Sequence, residues 1–282
     1  MLLDGGLSTA LEQLGNNLNT SLWSGELLRT APDQIEAAHK AYVGAGAQVI
    51  ITSSYQISMD GCALRGWSES DVRDALLLST QLARNAVEGT GVLVAASVGP
   101  YGASLADGSE YRGNYGKSKK WLKDFHRMRL QILTESNPDL LAIETIPELT
   151  EAEAILELLE EQAIRIPYWM SFSCKDDKHI SSGELFKDAV KLVGGKLGAV
   201  GVGINCTAPE LITPLLSSAK SRIPFVVYPN SGRLWNAEIK EWVGPPTSGF
   251  SEMQIFEWKE RGAKLIGGCC SVGPEEIALM NV

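Results

Sequence analysis

Three of the five cysteines in this 282-residue chain follow predicted strands in its second half. Cys206 ends the segment "AVGVGINC", and Cys269 with Cys270 ends the segment "KLIGGCC". Three thiolates without a neighbouring histidine suit a soft divalent ion, and zinc is the metal that such a set favours. Three protein ligands leave a fourth position open, which is typical of a catalytic rather than a structural zinc site.

Other interpretations of these cysteines stay open at this point. Cys206 alone is typical of a small buried hydrophobic residue, and the adjacent pair also fits a redox disulfide or two packed thiols. Adjacent residues of a regular strand point to opposite faces, so Cys269 and Cys270 can share one ion only where the backbone bends. Gly267 and Gly268 would make such a bend possible.

Polar side chains follow the other predicted strands as well. They are Asp4, Ser53, Ser54, Tyr55, Gln56, Ser97, Glu144, Thr145, Ser173, Asn205, Tyr228 and Asn230. Because active sites of parallel barrels are built at the carboxyl ends of the strands, we expect these groups to lie near the cysteines. A glycosidase acid–base pair of Asp4 and Glu144 is the alternative, but it leaves the cysteines without a role. We interpret Cys62 and Cys174 as structural.

Eight short apolar segments rich in Val and Ile alternate with longer amphipathic segments that carry helix-start signals. Most of the apolar segments have no polar face, as expected when helices cover both faces of a parallel sheet. The pattern predicts an α/β fold, a single (β/α)8 TIM barrel over residues 1–282, with a short last helix in "PEEIALMN". A doubly wound open sheet is the alternative. The glycine-rich insertion "YGASLADGSEYRGNYGKSKK" is predicted as a loop over the barrel mouth.

Composition and failed motifs exclude several functions. The formal net charge of -9 argues against nucleic acid or an anionic membrane as a partner. No apolar run approaches the roughly 20 residues of a membrane span, and no export signal is visible, so we expect a cytoplasmic monomer with reduced cysteines. "GKS" at Gly116 lacks the glycine of a phosphate loop, since Tyr111 stands there. No histidine ends a predicted strand, which argues against a hydrolase triad.

Several segments together resemble a known family. They are "LLDGG…TALEQLG", "SLWS", "GAQVIITSSYQ", "ASVGPYGASLADGSEYRGNYG", "LLAIETIPE", "GINC", "VVYPNSG" and "LIGGCC". In this order, and over nearly the whole chain, they resemble the homocysteine S-methyltransferases. The likeness is strongest to the branch that uses S-methylmethionine, especially the plant enzymes.

The resemblance implies a zinc ion on Cys206, Cys269 and Cys270. It also implies that Asp4 and Glu144 hold the amino acid part of homocysteine, with the ammonium group as the natural partner of two acceptors. Trp23 and Gln56 match the methyl-donor pocket of betaine-using relatives. With Tyr55 and Asn230 they complete the expected substrate-binding set, and no catalytic residue beyond the zinc centre is expected.

The function implied is transfer of a methyl group from S-methylmethionine, or from S-adenosylmethionine, to homocysteine, which forms methionine. The alternatives are a methyltransferase with betaine or another donor, and a zinc-binding barrel without catalysis. The chain departs from the family beside the site. Ser271–Pro274 stand where the family usually has Arg-Thr-Thr-Pro, Arg233 where it has Glu, and Glu148 where it has Asn.

Overall fold

The computed structural model describes residues 1–18, 20, 22–232, 234–236, 241–243 and 249–280, with the backbone alone for 234–236 and 241–243. The strands described are β1 (Val49–Ile51), β2 (Leu93–Val98), β3 (Leu140–Ile146), β4 (Tyr168–Phe172), β5 (Ala199–Asn205), β6 (Phe225–Tyr228), β7 (Leu234–Asn236), β8 (Glu241–Val243) and β9 (Ala263–Ile266). One parallel sheet has the order β1-β2-β3-β4-β5-β6-β9, while β7 and β8 form a separate antiparallel pair.

Helices connect consecutive strands of the parallel sheet. They are α1 (Leu7–Gln13), α2 (Leu27–Thr30), α3 (Pro32–Gly44), α4 (Met59–Ala63), α5 (Glu69–Ala86), α6 (Tyr101–Leu105), α7 (Lys119–Glu135), α8 (Leu149–Glu161), α9 (Phe186–Val193), α10 (Ile212–Ser218), α11 (Glu252–Glu260) and α12 (Pro274–Ala278). Short 3₁₀ turns lie at Trp23–Glu26, Ser109–Tyr111 and Pro209–Leu211. The prediction of an α/β fold with a parallel sheet is confirmed, and the last helix is short as expected.

The first predicted strand, "MLLD", is not an extended strand in the structure. Leu2 makes a single parallel bridge to Ile266 of β9, and Leu3 makes one to Val49 of β1. This segment therefore lies between the two edge strands of the sheet and is hydrogen-bonded to both. It places Asp4 directly beyond the carboxyl end of that pairing.

Two hydrophobic clusters lie on the two faces of the sheet. The larger one packs the strands against the surrounding helices and runs from Leu2 to Met280. The smaller one collects side chains from one face of the strands: Leu3, Val49, Ala95, Ala142, Trp169, Val226, Tyr228 and Leu265. Strand β5 contributes glycine at this face, because a side chain on Gly203 would overlap the backbone of Val226. The large Trp169 side chain on the neighbouring β4 is fully buried in this cluster.

The insertion after β2 differs from the loop predicted for it. Residues 101–105 form α6, and residues 109–111 form a 3₁₀ turn before α7 begins. Gly102 is required there because a Cβ atom would lie 2.5 Å from the backbone nitrogen of Glu110. The polar, glycine-rich composition therefore reflects close packing of two short helical pieces rather than an open loop. None of the helices in the described ranges has the length and apolar character needed to span a membrane.

Candidate active site

The three predicted metal ligands converge beyond the carboxyl ends of β5 and β9. The Sγ atom of Cys206 lies 2.8 Å from that of Cys269 and 3.4 Å from that of Cys270, and the last two are 4.0 Å apart. Sulfur ligands about 2.3 Å from a tetrahedral zinc ion would be roughly 3.8 Å apart, so the observed separations lie on both sides of that value. The group could hold a metal ion.

The backbone at these cysteines is hydrogen-bonded to the end of β6 and to the segment that follows it. The Cys206 amide donates to the Tyr228 carbonyl at 3.1 Å, and the Cys269 amide donates to the Pro229 carbonyl at 2.8 Å. The Cys270 carbonyl accepts from the Ser231 amide at 3.1 Å. Cys206 has a φ of 49°, in the left-handed region that non-glycine residues rarely adopt. Such strain persists where the surrounding structure fixes it, and it is common at functional sites.

The glycines before the cysteine pair have a different role from the one predicted. Neither Gly267 nor Gly268 has a positive φ. A Cβ atom on Gly267 would lie 2.6 Å from the Asp4 carbonyl oxygen, and one on Gly268 would overlap the Val272 side chain. The prediction that these glycines provide the bend is therefore wrong, since they are needed for close packing.

The bend itself is a turn over Cys269–Val272. The Val272 amide donates to the Cys269 carbonyl at 3.1 Å, and Ser271 has a φ of 61°. This turn rotates Cys270 out of the strand alternation, so that both sulfurs of the pair face Cys206. The segment Ser271–Pro274, where the chain departs from the usual family sequence, contributes to this turn and provides the first residue of α12.

Hydrogen bonds among the three thiols shift their pKa values in opposite directions. Cys269 donates to the Cys206 sulfur, and together with the contact between Cys206 and Cys270 this bond holds the pKa of Cys206 well below its ordinary value. The same bonds to Cys206 raise the pKa values of Cys269 and Cys270 well above theirs. The Tyr111 hydroxyl lies 3.3 Å from Cys206 Sγ and lowers the pKa of that thiol further. Cys206 is therefore the residue of the group that ionises first.

Asp4 and Glu144 are buried carboxyl groups at the same edge of the sheet. Asp4 Oδ2 accepts from the Ile51 amide at 2.8 Å, whereas Asp4 Oδ1 is buried without a hydrogen-bond partner. Burial raises the pKa of Asp4 well above its usual range, and the charge of Glu144 raises it further. Burial also raises the pKa of Glu144 to about 7, against hydrogen bonds from Ser97 and Tyr228 that lower it. Two such groups are well suited to a bound cation.

One pocket joins most of the predicted site residues. Trp23, Tyr55, Gln56, Glu144 and the three cysteines line it. Asp4 does not line the pocket, but it immediately precedes two lining residues, Gly5 and Gly6, in the chain. Asn230 does not line the pocket, because its Oδ1 atom accepts from the Gly232 amide at 2.9 Å and so closes the turn after β6. The substrate-binding roles of all six residues stay predictions.

The pocket also contains residues that the sequence interpretation did not select. Glu110 and Tyr111, in the 3₁₀ turn of the insertion, both line it. Glu110 is buried, its Oε2 atom has no hydrogen-bond partner, and burial raises its pKa to about 8. The sequence did contain a signal for these two residues. A charged residue and an aromatic residue are adjacent in the insertion that was predicted to lie over the barrel mouth.

The remaining predictions concern residues outside the pocket. Cys62 is buried in α4 within the larger hydrophobic cluster, and Cys174 follows β4 away from the three converging thiols. Glu148 is buried beside the insertion, where its Oε2 atom accepts from the Tyr115 amide at 3.3 Å. Arg233 lies outside the described residues.

An α/β protein with three converging thiols and buried carboxyl groups in one pocket defines a candidate enzyme with a thiol-rich active site. Residues 1–281 match the sequence profile of the homocysteine S-methyltransferase family, and the chain belongs to that family. The resemblance found in the sequence motifs is therefore confirmed, and so is the expectation that the chain is an enzyme of this class.

Individual relatives cover nearly the whole chain. Homocysteine S-methyltransferase 1 of Zea mays is 42% identical over 99% of this chain and 93% of its own length. Homocysteine S-methyltransferase YbgG of Bacillus subtilis is 43% identical over 98% of this chain and 92% of its own length. The crystal structure of the homocysteine methyltransferase MmuM from Escherichia coli in its metallated form superposes with a TM-score of 0.86 at 41% identity. It covers 99% of this chain and 94% of that chain.

Proposed function

We propose that this enzyme transfers a methyl group from S-methylmethionine to homocysteine in a zinc-dependent reaction that forms methionine. The observation that carries the proposal is one pocket lined by three sulfur donors and the buried Glu144, with the buried Asp4 next to the lining residue Gly5 in the chain. The three sulfurs suit zinc in number and type, and they lie within 4.8 Å of one another. When bound, zinc would hold the homocysteine sulfur as a thiolate, which explains why no histidine base is needed.

Asp4 and Glu144 are proposed to bind the ammonium group of homocysteine. Asp4 Oδ1 is a buried acceptor without a partner, and Glu144 lines the pocket. A cation at this position would lower the raised pKa values of both carboxyl groups, because the ionised forms gain a partner of opposite charge. The ammonium group would then place the homocysteine sulfur toward the cysteines, at a fixed distance from its α-carbon.

The methyl transfer requires that the two substrates are correctly positioned and that the pocket excludes water. It requires no general acid or base. A bond forms between the homocysteine sulfur and the methyl carbon while the bond between that carbon and the sulfonium sulfur breaks. The electron pair of the broken bond stays on the donor sulfur, which leaves as a neutral thioether. Because opposite charges are neutralised, a site that excludes water favours the reaction over the separated ions. Trp23 and Tyr55 offer aromatic faces for the sulfonium.

Asn230 is proposed to support the site through the backbone. Its side chain closes the turn to Gly232, and the Ser231 amide between them donates to the Cys270 carbonyl. Asn230 thus holds the segment that fixes one thiol, and Gln56 forms part of the donor wall.

The fold around this site is proposed to be a closed (β/α)8 barrel. The segment at Leu2 and Leu3, which bridges β1 and β9, would be its eighth strand. Residues 1–282 are proposed to form one domain, since the larger hydrophobic cluster contains both Leu2 and Met280. We further propose a cytoplasmic monomer, and light scattering on the purified protein would measure its mass.

A donor panel tests the function. Zinc-loaded enzyme with homocysteine is given S-methylmethionine, S-adenosylmethionine or betaine, and methionine is measured. We expect the largest kcat/KM with S-methylmethionine. A preference for betaine would contradict the donor assignment, and the absence of methionine with every donor would support a zinc-binding barrel without catalysis. Full activity after complete zinc removal would contradict the proposed role of the metal.

A further inference from the structure

Glu110 is the acidic pocket residue to which neither the metal site nor homocysteine binding gives a role. It lies in the 3₁₀ turn Ser109–Tyr111, with 8% of its surface exposed. Its Oε2 atom is buried in the pocket wall and has no hydrogen-bond partner. A buried carboxylate oxygen without a hydrogen-bond partner is unfavourable unless a ligand supplies that partner. This arrangement therefore indicates a binding function.

The turn that carries Glu110 is held by several contacts apart from the interaction of the Glu110 carboxyl group with its own backbone amide. The Ser173 hydroxyl donates to the Glu110 carbonyl at 2.8 Å, and Gly102 packs against the Glu110 amide. The Ser109 side chain accepts from Arg112 at 3.0 Å, and the Ser109 amide donates to Asp107 at 2.9 Å. These contacts fix the position of Glu110, and its Oε2 atom, which has no hydrogen-bond partner, is left for a ligand in the pocket.

The charge of the pocket wall selects the kind of ligand. Among the lining residues that the structure describes, Glu110 and Glu144 are acidic, and none is lysine, arginine or histidine. The three thiols add further negative charge once ionised. In the proposed function Asp4 and Glu144 bind one ammonium group, so Glu110 is left for a second cation. The turn also fixes its place near the metal site, since the next residue, Tyr111, lies 3.3 Å from Cys206 Sγ.

We propose that Glu110 is the residue that binds the cationic methyl donor and distinguishes it from the uncharged product. The inference rests on the proposed function and names the element that separates the donor from the product. S-methylmethionine carries a positive charge on its sulfur, whereas the sulfur of methionine is a neutral thioether. A carboxylate beside this sulfur attracts the donor through a charge that the product lacks.

The same contact explains how the product leaves. Transfer of the methyl group converts the sulfonium into a neutral thioether, so the attraction to Glu110 is weakened by the reaction itself. Because the positive charge is already diminished in the transition state, Glu110 stabilises the bound donor more than the transition state. Removing the charge should therefore raise the donor KM without lowering kcat in proportion. If Glu110 only supported the turn, its replacement would instead lower kcat, kcat/KM and zinc content together.

The test compares binding of S-methylmethionine and methionine to zinc-loaded enzyme by calorimetry. Homoserine, which has a hydroxyl in place of the reacting thiol, is kept at saturation so that the acceptor subsite is filled and no methyl transfer occurs. We expect wild-type enzyme to prefer S-methylmethionine. In Glu110→Gln we expect the affinity for S-methylmethionine to fall roughly 10- to 100-fold, the usual effect of losing one charged partner, while methionine binding changes little.

Two further variants separate charge at this position from other causes. Glu110→Asp keeps the carboxylate and should retain a clear preference for S-methylmethionine. Asp107→Asn removes a negative charge from an exposed position of the same insertion and can still accept from the Ser109 amide, so donor binding should be unchanged. Zinc content and homocysteine affinity, measured on every variant, check that the fold is intact.

An unchanged preference for S-methylmethionine in Glu110→Gln would overturn the proposal. An equal loss of S-methylmethionine and methionine binding would also overturn it, since charge recognition would then not be the cause. The proposed function is judged separately by the donor panel. Wild-type enzyme that binds the cation through Glu110 but forms no methionine would contradict the function and leave the inference standing.

Discussion

Replacing Glu144 by glutamine should make the ligand-free protein more stable and at the same time weaken homocysteine binding. The carboxyl group is buried, and its pKa is raised from 4.5 to about 7. The folded state therefore holds the proton more tightly than the unfolded state. The contribution to stability is present below pH 4.5 and is lost as the pH rises through 7, where the folded carboxyl group ionises.

The size of the change in the free energy of unfolding follows from the pKa shift of Glu144. About 2.5 pKa units correspond to about 3 kcal/mol of destabilisation at pH 8 and to less than about 1 kcal/mol near pH 5. Glutamine carries no charge, so Glu144→Gln should raise the free energy of unfolding by up to these amounts at each pH. For a chain of 282 residues, about 3 kcal/mol corresponds to a rise in Tm of about 5 °C.

The measurement is thermal unfolding of metal-free protein under reducing conditions at pH 5 and pH 8, followed by calorimetric titration of the zinc-loaded protein with homocysteine. We expect homocysteine affinity to fall roughly 10- to 100-fold, because an ammonium group loses a charged acceptor. The exposed Glu88→Gln is the control and should change neither quantity. Equal stabilisation at both pH values would refute the argument from burial, and unchanged homocysteine affinity would refute the proposed binding role.

Three other changes address the thiol group. Cys206→Ser should leave the folded protein with little zinc, because a hydroxyl is a poor zinc ligand, and full metal content by elemental analysis would remove Cys206 from the ligand set. Tyr111→Phe should shift the thiolate-to-metal absorption of the cobalt-substituted protein, since the hydroxyl near Cys206 Sγ is lost; an identical spectrum would show that this contact has no electronic effect. Gly268→Ala should lower the Tm by several degrees and weaken zinc binding, because the added methyl group overlaps Val272, whereas an unchanged Tm would contradict the packing argument.

The common location of the three thiols could be predicted because it depends on the topology of the sheet. Parallel strands end at one edge, and "GINC" and "GGCC" each end a strand, so Cys206 and the cysteine pair had to lie on the same side of the sheet. The buried carboxyl groups Asp4 and Glu144 followed from the same rule. These predictions needed only the alternation of strands and helices, which hydrophobic periodicity indicates well.

The features that were missed or wrongly predicted from the sequence depend on contacts between distant segments. Glu110 lies in a polar, glycine-rich stretch, and its burial results from Ser173 and Gly102, which local sequence does not relate to it. The turn at the cysteine pair uses Ser271 in a left-handed conformation, although two glycines precede it. Glycine can relieve strain or allow close packing, and sequence alone does not distinguish these uses.

The bridges from Leu2 and Leu3 have a consequence for the order in which the enzyme assembles. Met1 donates to the Lys264 carbonyl, 263 residues away, so the two edges of the sheet meet only after the last strand has been synthesised. Until then the growing polypeptide offers Cys206 without the pair that follows β9, and a single thiol retains zinc poorly. At the proposed zinc site, metal capture should therefore be a late event of folding that follows a slow, long-range contact. Zinc retention by ribosome-released protein would report completed folding more directly than secondary structure does.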